Sequence, residues 1–207
     1  LHDRNVWNAV ENTFIVALSC TGVSVVLGTL AAFALHLYKS RLQFIHYMMI
    51  YAPLVVPEIL MGMSLLLLFV AVGAKLGLWT IFLAHVTFCI SYVAMVVLGR
   101  LQDFDFSVYE AARDLGASRW AAFHKVLLPL LAPGIVAGGL LAFTLSLDDF
   151  VITFFVSGPG STTLPVYIYS LMKHGSPTVI NALSVILFLL TLVIVVASQL
   201  ITGEDKK

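Results

Sequence analysis

Five long apolar runs constrain this chain more than any other feature. They cover residues 13–38, 44–72, 77–99, 129–156 and 179–201, and their only Asp, Glu, Lys or Arg residues are Glu58, Asp148 and Asp149. A bilayer core of ~30 Å needs about 20 apolar residues in a helix. Backbone polar groups in lipid must also be satisfied within the segment, and the runs are continuous rather than alternating. We therefore predict an all-α polytopic membrane protein, with five spans in a single domain, 1–207.

The composition agrees with a bilayer as solvent and argues against several other functions. Hydrophobic residues make up 60% of the chain and charged residues 11%, and the mean hydropathy is +1.02, well outside the range of soluble domains. The formal net charge is zero, so no basic excess points to nucleic acid. Cys20 and Cys89 fit no metal or redox spacing, and we interpret them as buried apolar residues.

The positions of the basic residues predict the orientation, because cytoplasmic loops carry an excess of Lys and Arg. Alternate loops form two sets of basic residues. The larger set is Lys39, Arg41, Arg100, Arg113, Arg119, Lys125, Lys206 and Lys207; the smaller is Arg4, Lys75 and Lys173. The larger set should be cytoplasmic, with the N-terminus outside and the C-terminus inside.

The first dozen residues contain neither an initiator Met nor a signal peptide, so either an upstream segment is missing or a short tail crosses unaided.

The most polar stretch, EAARDLGASRWAAFHKVLLP at residues 110–129, predicts two short helices. Ser107 and Glu110 form a Ser-x-x-Glu capping box, so a helix should begin there and run to Leu115. Gly116 should stop it, since glycine readily adopts a left-handed conformation.

The second helix should run from Arg119 to Leu127 and end at Leu128–Pro129, with Ser118 as its cap. Helices this short need a partner surface to be stable. Two interpretations stay open at this point: a docking element for another protein, or a plain amphipathic connector at the membrane surface.

This stretch resembles the EAA loop of the inner-membrane permeases of binding-protein-dependent ABC importers. Glu110-Ala111-Ala112 is followed after three residues by Gly116, after nine more by Val126, and then by Leu128-Pro129. The resemblance implies a type I ABC importer permease fold in the bacterial inner membrane. It also implies that loop 100–128 is a cytoplasmic coupling loop. The ATPase-coupling residues would be Glu110, Ala111, Ala112, Gly116, Leu128 and Pro129.

The same resemblance implies partners and a substrate class. The partners would be cytoplasmic ATP-binding subunits, a second and distinct permease subunit, and an external solute-binding protein. AFTLSLDDF at 142–150, FVSGPGSTTLPVYIYS at 155–170, SPTVINA at 176–182 and VIVVASQLI at 193–201 are similar to the spermidine/putrescine permeases of that family. Such permeases normally have six spans, and this sequence has five. Related permeases carry iron, thiamine, sulfate or opines, and these substrates stay as alternatives.

The acids within the apolar runs are candidates for a substrate pathway. A carboxylate at mid-bilayer costs ~2.5 to 3.5 kcal/mol, so Glu58, Asp148 and Asp149 should face a wet pore. Counting 1.5 Å per residue from Phe44 places Glu58 ~21 Å into the membrane. Phe150, Phe154 and Tyr167 could add cation-π contacts to a polyamine. The alternative is structural: Asp148 or Asp149 caps a helix end, or pairs with Lys173 or an Arg of a partner chain.

Other candidate sites are interpreted as packing. His85 and Cys89 lie four residues apart but lack a third ligand, so we assign them to the core and predict no metal site. Gly134, Gly138 and Gly139 should allow another span to approach closely. The sequence has no phosphate-binding loop and no hydrolase motif, which predicts no cofactor and no enzymatic activity. A secondary transporter or cation channel using the acids is disfavoured by the EAA spacing.

The orientation can be tested by cysteine labelling in whole cells. A Cys in place of Lys39 or Arg119 should be shielded from an impermeant thiol reagent, whereas a Cys in place of Lys75 or Lys173 should react. The reverse labelling pattern would contradict the predicted topology.

Overall fold

The computed structural model describes residues 4–37, 41–174 and 177–203, and these residues form helices joined by short loops with no strand among them. The described helices are α1 (Arg4–Leu37), α2 (Gln43–Val55), α3 (Glu58–Ala71), α4 (Leu78–Gln102), α5 (Ser107–Asp114), α6 (Arg119–Ala122), α7 (Leu128–Asp148), α8 (Val151–Val156), α9 (Leu164–His174) and α10 (Pro177–Gly203). The prediction of an all-α protein is confirmed.

The centre of the molecule is formed by α1, α4 and α7. α4 and α7 run antiparallel, and their contacts recur about one helical turn apart: His85 meets Ser146, Cys89 meets Ala142, and Val93 faces Gly138. α1 packs on the same side, where Sγ of Cys20 lies 3.9 Å from Sγ of Cys89. Both cysteines are fully buried and unlinked, as expected for apolar core residues.

Glycines allow these three helices to approach closely. A Cβ added at Gly28 of α1 would lie 2.7 Å from Cβ of Val93 and 2.9 Å from the carbonyl oxygen of Ile90, both on α4. On α7, a Cβ at Gly139 would lie 2.9 Å from the side chain of Val25 of α1, whereas a Cβ at Gly138 would be in ordinary contact with α4, 3.4 Å from Cα of Val93. The predicted close packing of the glycines on the fourth span is confirmed, since Gly134 also lies against the side chain of Arg100.

Three helical stretches in the described part of the chain are long and apolar enough to cross a membrane: α1, α4 and the continuous helical stretch Arg119–Asp148. α4 corresponds to the predicted span 77–99. α1 begins nine residues before the predicted start at residue 13, because its first turns pack against α9 and α10 through Val6, Leu164 and Leu183. α10 covers the predicted span 179–201, and the total of five spans stays a prediction.

The second predicted span, 44–72, is not one helix. α2 and α3 are bent by 109° at Val56 and Pro57, and both of these residues have extended backbone. Pro57 has no N–H to donate, and its ring disfavours helical backbone at the preceding residue. The estimated depth of Glu58 assumed a continuous rise from Phe44, and that estimate is wrong because Glu58 instead begins α3 after the bend.

The fourth predicted span, 129–156, is also interrupted. α7 ends at Asp148, Asp149 is extended (φ −61°, ψ 123°), and α8 follows as a separate short helix. At its other end α7 continues directly from α6 through a π-helical turn, Phe123–Leu127. α7 begins at Leu128 with Pro129 in its first turn, as predicted, but the second short helix does not end there, because proline is tolerated in the first turn and the helical path continues. α9 was not predicted.

The two sets of basic residues lie at opposite ends of the helical bundle. At one end, the ring of His36 stacks on Phe106 at 5.2 Å, and the amide of Gln43 donates to the carbonyl of Leu35. At the other end, the amide of Asn12 donates to the carbonyls of Gly160 and Thr162. Of the predicted cytoplasmic charges, Lys39, Lys206 and Lys207 lie outside the described residues.

The contact between α1 and α4 gives a stability prediction. Gly28→Val should lower stability by about 1–3 kcal/mol, because the added carbons would overpack the contact with Val93 and Ile90. Gly22→Val on the same helix is the control, since a Cβ there meets nothing within 4 Å. Thermal unfolding of the purified proteins in detergent measures the difference, and equal losses for the two variants would contradict the proposed packing role.

Candidate functional site

Glu58 and Asp148 line one cavity of about 320 Å³, although 90 residues separate them in sequence. The cavity lies where the two interrupted spans meet: Glu58 begins α3 after the first break, and Asp148 ends α7 before the second. α4 supplies the facing wall. The remaining lining residues are Pro53, Met61, Phe88, Tyr92, Leu145, Asp149, Phe150, Val151 and Ile152.

The two exposed acids differ in their helical surroundings. Glu58 lies in the first turn of α3, where the positive end of the helix dipole favours a carboxylate. Asp148 is the last residue of α7, where the negative end of the dipole adds to its own charge. The arrangement at Asp148 is unfavourable without a nearby positive charge, so this end of the cavity suits a cation.

Asp149 is placed differently from its neighbour. Its side chain is only 6% exposed, and Oδ2 accepts hydrogen bonds from the backbone N–H of Thr153 at 2.8 Å and from its hydroxyl at 2.7 Å. The same oxygen lies 3.2 Å from Nε2 of His85. Asp149 therefore caps α8, which is the structural alternative considered for this pair, while Asp148 is the exposed member.

The aromatic residues around the second break form a cluster that includes only two of the three predicted side chains. The rings of Phe150 and Phe154 lie 5.5 Å apart, and Tyr169 lies 4.8 Å and 5.9 Å from them. The ammonium group of Lys173 lies 5.3 Å from the centre of the Tyr169 ring.

Tyr167 is not part of this aromatic cluster. It packs with Val6 and Leu164 near the start of α1, because two residues along a helix correspond to a rotation of about 200°. Tyr169 and Lys173 lie four residues apart and therefore on one face of α9, and this spacing was the sequence signal that Tyr169, rather than Tyr167, could take part in a cation-π contact. Sequence reasoning also missed Phe88 and Tyr92, which reach the cavity from α4.

A buried polar cluster adjoins the cavity, and we call it the clasp: His85, Ser146, Asp149 and Thr153. His85 is only 1% exposed; its Nδ1 lies 2.7 Å from the hydroxyl oxygen of Ser146, and its Nε2 lies 2.9 Å from that of Thr153. The prediction that His85 lies in the core is confirmed. Its polar contacts were not predicted, because they depend on residues about 60 positions further along the chain.

The loop between α4 and α6 has the predicted glycine stop. Gly116 has φ +90°, and α5 ends before it in a Schellman motif, with the N–H of Ala117 bonded to the carbonyl of Ala112 and that of Gly116 to the carbonyl of Arg113. Ser118 caps α6 as predicted by accepting from the N–H of Ala121 at 3.2 Å.

The predicted capping box at Ser107 and Glu110 is not formed. Instead Oδ1 of Asp105 accepts from the backbone N–H of Ser107 at 2.9 Å, and this hydrogen bond lowers the pKa of the Asp105 carboxyl. Aspartate readily bonds the backbone two residues on, and here it starts the helix in place of the serine. The side chain of Glu110 remains exposed.

This loop exposes several large apolar side chains to solvent, beside exposed charged residues such as Glu110 and Arg119. Leu115 is 90% exposed, Trp120 69% and Val108 47%. Ala111 is also exposed and Ala112 is half-buried, whereas Tyr109 and Phe123 pack inward against the core. Leu128 and Pro129 begin α7, with Leu128 half-buried and Pro129 exposed. Exposed apolar side chains of this size at the end of a polar loop are typical of an interaction surface.

The fold resembles that of membrane subunits of solved ABC transporters. A methionine ABC transporter, MetNI, in an inward-facing conformation matches with a TM-score of 0.76 at 21% identity, covering 99% of this chain and 95% of that one. A bacterial ABC transporter involved in the import of the polysaccharide alginate matches with a TM-score of 0.72 at 16% identity, covering 100% and 82%. These likenesses define an ABC importer permease fold.

Residues 24–202 match the family described as the binding-protein-dependent transport system inner membrane component, and the chain belongs to this family. It is thus a multi-pass inner-membrane component of a transport system.

The spermidine/putrescine permease PotC of Escherichia coli K12 is 39% identical over 207 residues, which cover 100% of this chain and 78% of the relative. PotC of Haemophilus influenzae is 43% identical over 204 residues, covering 99% and 79%, and the E. coli putrescine permease PotI is 45% identical over 194 residues, covering 90% and 69%.

Proposed function

We propose that this chain is the membrane-spanning translocation subunit of an ABC importer for polyamines, coupled to a separate ATPase through the α5–α6 loop. The observation that carries the substrate class is the shared cavity of Glu58 and Asp148, which places two exposed carboxylates beside the aromatic rings of Phe88, Tyr92 and Phe150. The chain itself supplies the path and no catalytic group.

A polyamine suits the charge of this cavity. Each carboxylate in a membrane span costs ~2.5 to 3.5 kcal/mol, and a bound polycation would offset part of that cost at both acids. Ammonium groups also gain ~0.5 to 2 kcal/mol over an aromatic face. Two acids disfavour an anionic substrate such as sulfate, which the fold alone would not exclude. The names of the relatives, which are permeases for spermidine and putrescine, support the same substrate class.

The ATPase is proposed to dock on the exposed apolar face of α5 and α6. Leu115 projects where α5 ends, held there by the turn at Gly116. Trp120 follows at the start of α6, and large aromatic residues of this kind often dominate binding energy at interfaces. Glu110, Ala111 and Ala112 lie on α5 and belong to the same proposed surface, while Leu128 and Pro129 join it to α7.

A mechanical link between the two sites supports this coupling. The path from Arg119 to Asp148 is helical throughout its 30 residues, so a displacement at the docking surface is carried by one element to the acid of the cavity. This path contains a π-helical turn at Phe123–Leu127, and such turns are often found at functional sites.

Neutral variants test the substrate pathway. Glu58→Gln and Asp148→Asn keep the side-chain size and remove one charge, so each should raise the half-saturating concentration for spermidine or putrescine roughly tenfold, corresponding to about 1.4 kcal/mol. Uptake of radiolabelled polyamine by cells or proteoliposomes measures the change, while basal ATPase activity and assembly should be retained.

The control is Glu11→Gln, which neutralises an exposed acid on α1 that does not line the cavity. Uptake by the control should match the parent. If both cavity variants also match the parent, the acids are structural and the proposed cation pathway is wrong.

Variants in the loop test coupling. Gly116→Val places a β-branched residue at φ +90°, which should displace Leu115 and α6 and uncouple ATP hydrolysis from uptake. Glu110→Lys should have the same effect by reversing a charge on the docking surface. Gly99→Val is the control, because it also adds carbons into open space but on ordinary helical backbone. Coupled transport at normal expression by both loop variants would count against docking at this surface.

A further inference from the structure

We infer that His85 is a positioning residue for substrate uptake: through the clasp it fixes the break between α7 and α8, and so sets the spacing of Glu58 and Asp148. This inference rests on the proposed function only for its transport readout. The spacing of Glu58 and Asp148 depends on how α4, α7 and α8 are held together, and it can be measured without any substrate.

The clasp joins α4 to both sides of the break. From α4, one ring nitrogen of His85 reaches Ser146 on α7, and the other reaches Thr153 on α8 and Asp149 between the two helices. With His85 neutral, a consistent assignment is that the Ser146 hydroxyl donates to Nδ1, Nε2–H donates to the Thr153 hydroxyl oxygen, and that hydroxyl donates to Asp149. Because the network is fully satisfied and buried, it specifies one geometry more sharply than apolar packing does.

The first acid is held directly by this network. Asp148 lies between two clasp residues, Ser146 two positions before it and Asp149 immediately after it. Asp149 is fixed in extended backbone by its hydrogen bonds to Thr153 and its contact with His85. The backbone of Asp148 therefore has little freedom to turn its side chain away from the cavity.

The second acid is held through α8. Gly62 of α3 packs against α8 so closely that an added Cβ would lie 2.7 Å from the ring of Phe155 and 3.3 Å from Cα of Ile152. Glu58 lies one turn before Gly62 on the same helix, so the position of α8 determines where Glu58 enters the cavity. Both acids thus depend on the same buried histidine, although neither is in contact with it.

A matched pair of variants separates this role from general stability. His85→Ala and Ser146→Ala each remove clasp contacts, and each should raise the half-saturating spermidine concentration roughly tenfold with a much smaller change in maximal rate. His85→Gln keeps an amide that can reach the α8 side and should restore part of the loss. Thr144→Val is the control, since its hydroxyl bonds only to the carbonyl of Leu140 within α7.

The spacing itself is measured by spin labels on Cys residues introduced by Glu58→Cys and Asp148→Cys in the assembled transporter. The native Cys20 and Cys89 are fully buried and stay in place, with the parent as the labelling control. Dipolar broadening in continuous-wave EPR should show one narrow spacing between the labels in the doubly labelled chain with no further change and with Thr144→Val, and a wider distribution of spacings with His85→Ala.

The outcomes are distinguishable. An unchanged dipolar spectrum with His85→Ala overturns the inference, and so does a fall in maximal rate alone that follows the loss of folded protein. A wider distribution of label distances with His85→Ala supports the positioning role even if Glu58→Gln and Asp148→Asn transport normally, and that combination would overturn only the proposed polyamine pathway.

Discussion

The antiparallel packing of α4 on α7 is the contact on which the rest of the structure depends. α7 approaches α4 most closely at Gly134, where an added Cβ would collide with the side chain of Arg100, and α1 approaches α4 most closely at Gly28. In lipid there is little hydrophobic gain from bringing two apolar helices together, so association relies on tight van der Waals contact and a few polar links. The same packing of α4 on α7 places His85 beside Ser146 at the end of the pair that adjoins the cavity.

Interrupted helices are tolerated here because they face a cavity and each other. A break in a membrane span leaves backbone groups without helical partners, which is costly where lipid surrounds them. At Asp149 the side chain itself satisfies the start of α8, and α3 covers α8 through Gly62. The two breaks meet where Glu58 and Asp148 line one space. Irregular backbone and charge, each unfavourable alone in a bilayer, are thereby placed in a single site.

The loop that contains α5 and α6 is built as short helices are built in water, with each helix end closed by hydrogen bonds from nearby residues. Its helices are short, and their ends are closed by local devices: Asp105 at the start of α5, the Schellman turn at Gly116, and Ser118 at α6. What remains unexplained by local structure is the exposure of Leu115 and Trp120, which a partner surface would cover. One uninterrupted helical path joins this surface to Asp148.

The sequence by itself determined that the chain lies in a membrane, that its fold is all-α, where the polar loop lies and where a glycine ends its first helix. Each of these properties depends on residues that are neighbours in the chain. Apolar runs of about twenty residues and a glycine stop after a short helix are local signals of this kind. The tertiary structure decided which acid is exposed and which one caps a helix, and that Tyr169 rather than Tyr167 joins the aromatic cluster. It also decided that the second predicted span becomes two helices, which are bent by 109° at Val56 and Pro57. These outcomes depend on contacts such as His85 with Asp149 and Gly62 with Phe155, which join distant parts of the chain and have no periodic signal along it.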